Sequence, residues 1–539
     1  MSRQKLSRIF AWLALPLASP GLALSQETSP APDTTDTRPV LELSVADAVE
    51  RALKNNSTIT VEKFSPLGAA EDVRSAEGVY DPFLQGQISK NSTDTPAQSA
   101  FSGGDTVNTA TWNYNVGLSG LLKTGATWSA IFDNTKQTTD NVFSLYNPSF
   151  ASSLNFRVSQ PLLKNFKTDS SRTQLKVAKN NRAISDIEFH QVVVNTVATV
   201  KKAYYDVIFN IDNLQAARKS LALAKKLLDE NQIKVRVGTL APLDVVEAES
   251  EVASRESGVI TAENSLAEAE DALKALIFPR NDPATWALHV VPTDRPSAEP
   301  VQVDVEKAIQ HAIDQRTDIA IARKSLESND LTLRLARNQT LPQMDVVGTY
   351  GAVGQGGTQI IRDGFGGPII ETIPGGYGDA LSSVFGNDFP TWTVGVQVSY
   401  SILSREAKAG RAKAQIAKDQ ALADLTRLEL VIATAVRTAA RDVETNFKRV
   451  QSNQAARILS ARRLDAEEKK FAAGMSTNFL VTQAQRDLAL AEVNELQSIA
   501  DYRKSIIELD RVQEAGATTN TTSVLSNAVS ILSATRSLF

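Results

Sequence analysis

Hydrophobic positions along this chain change period from region to region, and each period predicts a different element. Between Leu162 and Val237 there is neither Gly nor Pro, and Val193, Val200, Val207, Leu214, Leu221 and Leu228 recur every seven residues. Val197, Tyr204 and Ile211 fall between them, completing the 4-3 spacing of a heptad seam. The spacing predicts one helix from Arg172 to Arg236, about 95 Å long at about 1.5 Å per residue. A second long helix is predicted from Arg411 to Ala473, with Ile432, Val436, Ala439, Val443 and Val450 on one stripe and charged residues on the other faces. Both stop at a glycine, Gly238 and Gly474, where a left-handed C-cap is expected. Return helices follow at once, Leu243 to Phe278 and Phe479 to Ala515. Pro242 suits the first turn of one of them, and Thr239 and Ser476 or Thr477 are expected to cap them.

Between the helical parts the period is two. Trp112, Tyr114, Val116 and Leu118 alternate with Asn113, Asn115, Gly117 and Ser119, and Trp392, Val394, Val396 and Val398 alternate with Thr393, Gly395, Gln397 and Ser399. Leu154, Phe156 and Val158, and Trp128, Ala130 and Phe132, behave likewise. Segments of about ten residues with one apolar face, an aromatic near an end and polar connections have the pattern of transmembrane barrel strands. Strands are expected over 83–161 and 343–400, with a short turn at Lys123-Thr124-Gly125 and an outward loop from Gly351 to Asp388. Within that loop Gly354-Gln355-Gly356-Gly357 lacks the strand before and helix after that a phosphate-cradling loop needs, and is expected to be a flexible connection.

The two halves repeat each other. Val45-Ala46-Asp47-Ala48-Val49 aligns with Val305-Glu306-Lys307-Ala308-Ile309, and the same register pairs Ser57-Thr58-Ile59 with Thr317-Asp318-Ile319 and Pro82 with Pro342. The expected organisation is a signal peptide (1–25), a disordered lead (26–43), a first repeat (44–278, hairpin 172–278), an extended linker (279–303), a second repeat (304–515, hairpin 405–515) and a tail (516–539). The fold class is mixed α and β: long antiparallel coiled-coil hairpins forming an α-barrel, plus a transmembrane β-barrel, built on two internal repeats. So few strands cannot close a duct within one chain, so closure requires oligomerisation.

Ends and composition narrow the function. Arg3, Lys5 and Arg8 precede an apolar stretch from Ile9 to Ala18, with Ala23 and Ser25 at the small positions of a secretory cleavage site. After it no apolar run approaches the roughly 20 residues of a spanning helix. None of the 539 residues is cysteine, which excludes disulfides and an N-terminal lipid. The net charge of -4 offers no basic stripe for nucleic acid. His190, His289 and His311 are far apart and lack ligand spacing, so the chain is read as no enzyme, with no catalytic residue, cofactor or metal.

Taken in order, Gln160-Pro161-Leu162-Leu163, Val237-Gly238-Thr239 with Asp244-Val245-Val246-Glu247-Ala248, Arg316-Thr317-Asp318-Ile319 with Leu341-Pro342, and Gly474 with Leu480-Val481-Thr482-Gln483-Ala484 resemble the TolC-like outer membrane efflux protein family, the outer membrane factors. The resemblance implies a homotrimer in the cell outer membrane, with one β-barrel shared in the lipid and helices forming a tunnel into the periplasm. It implies a passive exit duct of a tripartite efflux or type I secretion system, joined through a periplasmic adaptor (membrane fusion) protein to an inner-membrane transporter. The alternative is a periplasmic coiled-coil adaptor or scaffold of an export complex. By position the adaptor-contact tips are Val237, Gly238, Thr239, Ala473, Gly474 and Met475, and Phe471 takes the place of a gating aromatic. The family's acidic positions after the second tip hold Leu480 and Gln483 here, whereas Asp244 and Glu247 follow the first tip, so these two join Phe471 as the implied periplasmic gate. The first β region is also longer than the family needs, with four strand candidates for two; the extra hairpin either joins the barrel or folds over its mouth.

Overall fold

The computed structural model describes residues 39–96, 105–279, 283–364 and 367–516. The signal peptide, most of the lead and residues 517–539 of the tail lie outside them. The chain opens with β1 (Val40–Leu43) and three helices, α1 (Val45–Asn55), α2 (Ser57–Glu62) and α3 (Phe64–Glu77). Four strands follow, β2 (Phe83–Pro96), β3 (Thr106–Leu121), β4 (Thr127–Thr139) and β5 (Tyr146–Pro161), and then the hairpin of α4 (Ser170–Arg236) and α5 (Pro242–Ile277). A short α6 (Pro283–Trp286) and β6 (His289–Pro292) lead to α7 (Val305–Gln315) and α8 (Thr317–Asn338). The second half continues with β7 (Gln343–Arg362), β8 (Ile369–Ile373), α9 (Tyr377–Gly386), β9 (Pro390–Ser399) and a second hairpin, α10 (Arg405–Ala472) and α11 (Asn478–Glu514). Starts are written locally: Ser44 Oγ accepts from Asp47 N at 3.1 Å while the Asp47 carboxylate accepts from Ser44 N, closing a capping box on α1.

Seven strands form one antiparallel sheet in the order β2-β3-β4-β5-β7, with β9 and β8 side by side on the remaining edge of β7, against its first and last parts. All four strand candidates of the first region are in this ladder, so the extra hairpin is part of the sheet rather than a cover. Directly opposed residues share a face. Leu84, Leu118, Ala130, Phe156, Tyr350 and Trp392 stand in one row across six strands, and one residue earlier or later the row on the other face reads Phe83, Ser119, Ser129, Arg157, Thr349 and Thr393. One face is therefore apolar and the other largely polar, and the apolar face is exposed over much of its area: Trp392 keeps 74% of its surface and Val394 70%. Trp112 and Tyr114 stack on that face with centroids 6.1 Å apart.

Four expectations need correction. Gly354 to Gly357 is not a loop but the middle of the 20-residue β7. Its glycines are there because α9 lies on the apolar face at that point, and a Cβ on Gly354 would come within 2.0 Å of the Ala380 carbonyl oxygen. Val40 to Leu43 of the lead form β1, and the linker is not simply extended, because α6 precedes β6 and β6 pairs in parallel with β1. Leu43 and Val290 bury their side chains in the core of the first hairpin, which is why such distant segments meet. Finally, Thr239 and Ser476 do not cap the return helices; their hydroxyls donate backwards, to the Lys234 carbonyl at 3.0 Å and to the Glu467 carboxylate, while Thr477 holds the N-cap position of α11 without a side-chain capping bond.

The two longest helices have 67 and 68 residues, about 100 Å each. Near the sheet α4 packs against α3 and α8, and α8 against α10; further away α5 and α11 flank α4, and α11 joins α10. The heptad seam is the buried line, with Val200, Tyr204, Val207 and Leu214 inside the first core and Ile432, Val436, Ala439 and Val443 inside the second. Two tyrosines tie the helices to the middle of the molecule. Tyr204 Oη donates to the Leu43 carbonyl at 2.9 Å, and Tyr502 Oη to the Glu299 carbonyl at 2.6 Å. Burial pushes the Tyr204 phenol up to about 12.

Candidate functional site

Both hairpins reverse at the end of the molecule away from the sheet, through the same backbone device. Gly238 has φ +82° and Gly474 φ +75°. Thr239 N donates to the Lys234 carbonyl at 2.9 Å and Gly238 N to that of Val235, and Met475 N and Gly474 N repeat this on Lys470 and Phe471. This is a Schellman close, whose left-handed backbone angles would strain any residue with a side chain. Val237 and Met475 are left 68% and 75% exposed at the tips, with Thr239, Ala473 and both glycines around them.

The structure brings the two tips together. Leu227 of α4 shares a cluster with Leu464 and Phe471 of α10 and with Val481, Ala484 and Leu488 of α11. Phe471 is thus buried between the hairpins rather than projecting from them, and the Lys234 ammonium sits 3.5 Å from its ring centroid. Asn231, wholly buried, donates to Asn478 Oδ1 at 2.8 Å, and both amides reach the Asp244 carbonyl. The Asp244 side chain is half-buried and that of Glu247 exposed, both in the first turns of α5, where the helix N-terminus favours negative charge.

One turn further in lies a group that the periodicity did not single out. Glu251 is 4% exposed, accepts from Arg255 Nε at 2.7 Å, and on its other oxygen receives the Arg486 guanidinium, Nε at 3.0 Å. Burial alone would raise its pKa, but hydrogen bonds from both arginines and their charges outweigh it and hold the carboxyl below its ordinary range. Because Arg486 belongs to α11, this pair clasps one return helix to the other. The signal was readable: Glu251 falls on the apolar stripe of α5, three residues after Ala248, where a carboxylate needs a partner. Glu270 breaks the same stripe. It is buried with Lys274 at 3.2 Å and His289 Nδ1 at 2.6 Å, and Lys274 also donates to the Trp286 carbonyl, anchoring the top of α5 to the linker. Among the described residues no helix is long and apolar enough to cross a membrane.

A sheet with one apolar face, two helical hairpins and glycine tips match a known pattern. The family model described as outer membrane efflux protein matches residues 127–277 and 308–512, well over half of the chain. The chain belongs to the outer membrane efflux protein family. It is 23% identical to Outer membrane protein TolC of Vibrio cholerae over 341 residues, 63% of this chain and 72% of that one. In fold it is similar to a membrane protein from Pseudomonas aeruginosa (TM-score 0.63, 16% identity, 91% of this chain and 99% of that one). It is likewise similar to the Campylobacter jejuni CmeC outer membrane channel (TM-score 0.61, 16% identity, 90% and 88%). As an efflux-family chain it is a channel of TolC type, and β2 and β3 lie ahead of the first matched segment.

Proposed function

We propose that this chain is the passive exit duct of a tripartite efflux or type I secretion assembly. It would sit in the cell outer membrane as a homotrimer, with its helices reaching through the periplasm to an adaptor and an inner-membrane transporter. The observation that carries this reading is the sheet. Much of its apolar face is exposed, on β2, β3, β5, β7 and β9, its other face is lined by groups such as Ser129, Arg157 and Thr393, and its outermost long strands have bare edges. Lipid tolerates no bare edge, so neighbouring copies must supply the missing partners, and the polar face then lines water. On this reading the two halves are two copies of one unit, and each copy contributes four long helices to a closed tunnel.

The tips, Val237 to Thr239 and Ala473 to Met475, are the proposed adaptor contacts. Asp244 and Glu247 place carboxylates at the tunnel mouth. Phe471 serves the gate by holding the hairpins together, with the Glu251–Arg486 clasp beside it. A periplasmic adaptor or scaffold would have no use for an apolar sheet face, which argues against that alternative. The test is fractionation with export: the protein should leave the cell in outer-membrane fractions as a heat-modifiable trimer, and its deletion should abolish export by its partner transporter. A lipid-free monomer in the periplasmic fraction would refute the reading.

A further inference from the structure

We infer that the barrel of this protein takes six strands from each copy, so that the β2 edge of one copy pairs with the β9 edge of the next in a ring of eighteen strands. The inference rests on the trimeric-duct reading and adds the number of strands and the identity of the joining edges. Three observations carry it. First, β2 and β3 are in continuous register with each other from Phe83 to Pro96, and β3 and β4 keep one register on both sides of a break at Tyr114 and Asn115, so the extra hairpin extends the sheet by two full-length strands. Second, the added strands present the same two faces as the rest: Leu84, Ile88, Tyr114 and Val116 are exposed on the apolar side, while Gln85, Ser89 and Asn113 are on the other. A hairpin folded over the mouth would meet water on both faces and would need no such band.

Third, the edges are complementary. Every neighbouring pair from β2 to β9 is antiparallel, so across six strands β2 and β9 run in opposite directions. A β9-to-β2 junction between copies is therefore antiparallel as well, head to tail, and repeats by rotation into a closed ring. Both edge strands are exposed almost throughout, and each is long, with 14 and 10 residues, so neither is blunted as a free edge in a monomer would be. The partner is a second copy of this chain, because the junction needs one β2 edge for each β9 edge.

The consequence is a wide exit. With strands about 4.8 Å apart and tilted about 40°, eighteen strands enclose a backbone radius of about 18 Å, against about 12 Å for twelve. Twelve long helices packed about 10 Å apart enclose about 19 Å, so the duct would keep one width from tunnel to surface and narrow only at the tips.

The natural absence of cysteine makes the edges directly testable in the full-length protein. Leu84→Cys or Ile88→Cys on β2 is combined with Val394→Cys or Val398→Cys on β9, and whole cells are treated with a short bis-maleimide. Covalent dimers and trimers on denaturing gels are expected, at least tenfold above those from Ala130→Cys combined with the same β9 positions. If the Ala130 pairs cross-link and the β2 pairs do not, β4 is the true edge and the six-strand ring is wrong, while the trimeric duct stands. If no pair cross-links and the protein is monomeric in detergent, the duct reading falls as well.

Discussion

The clasp between Glu251 and Arg486 predicts how firmly the tips are held closed. The pair joins α5 to α11, so the return helices cannot separate at this level without breaking it. Two unit charges about 4 Å apart attract by about 4 kcal/mol at an effective dielectric of about 20. Most of that is offset: Glu251 is dehydrated, and the Arg486 side chain is 59% exposed, where solvent screens it and can replace the contact. A coupling of about 1–2 kcal/mol remains, which is roughly a fivefold to thirtyfold change in the ratio of clasped to parted tips. Arg486→Ala should raise the open fraction of channels in planar bilayers by that factor, and Glu251→Gln should do the same. Because Arg255 still pairs with Glu251 in Arg486→Ala, the carboxylate is not left alone and the protein should still fold. The double variant should add little to either single one, and the exchange Glu251→Arg with Arg486→Glu should restore part of the closed state. Open fractions that do not move in either single variant, or that add fully in the double one, would refute the clasp.

Three further outcomes follow from the same coordinates. The folded pKa of Glu251 is depressed, so its contribution is present above the unfolded value near 4.5 and is lost as pH falls through the folded value; open fraction should climb in the native channel as pH falls below the ordinary glutamate range and stay flat in Glu251→Gln. At Gly238 and Gly474 a Cβ meets nothing within 4 Å, so Gly238→Val or Gly474→Ala is resisted only by the positive φ, by about 1–2 kcal/mol confined to the tip. Such variants should form normal trimers yet co-purify less adaptor and export less; unchanged adaptor recovery would remove the tips from the contact. Lys274→Met strips a buried carboxylate of its ammonium and leaves it to His289, and should destabilise the fold by about 1–3 kcal/mol in urea unfolding, with Lys274→Met combined with Glu270→Gln recovering most of it.

The sequence determined by itself whatever depends on local period and local stereochemistry. The heptad seam from Val193 to Leu228 wrote the long helix, because a stripe every 3.5 residues stays buried along its length only against another long helix that coils with it, and the alternation around Trp112 and Trp392 wrote strands with one apolar face. Gly238 and Gly474 marked the reversals because only glycine accepts their backbone angles without strain. What the tertiary structure decided were meetings between distant segments. Local pattern could not tell that Val40 to Leu43 pairs with His289 to Pro292, since four residues carry no period and their partner lies some 250 positions away. Nor could it place α9 on Gly354 and Gly356, which read as loop residues until a helix needed their missing side chains. Phe471 shows the same limit: the resemblance gave it the place of a gating aromatic, and only the packing of the second hairpin on the first puts it in a buried cluster under Lys234. Periodicity assigns each residue a face of its own element, but which neighbour covers that face is settled by chain topology, and a single sequence holds that only in the sum of all its contacts.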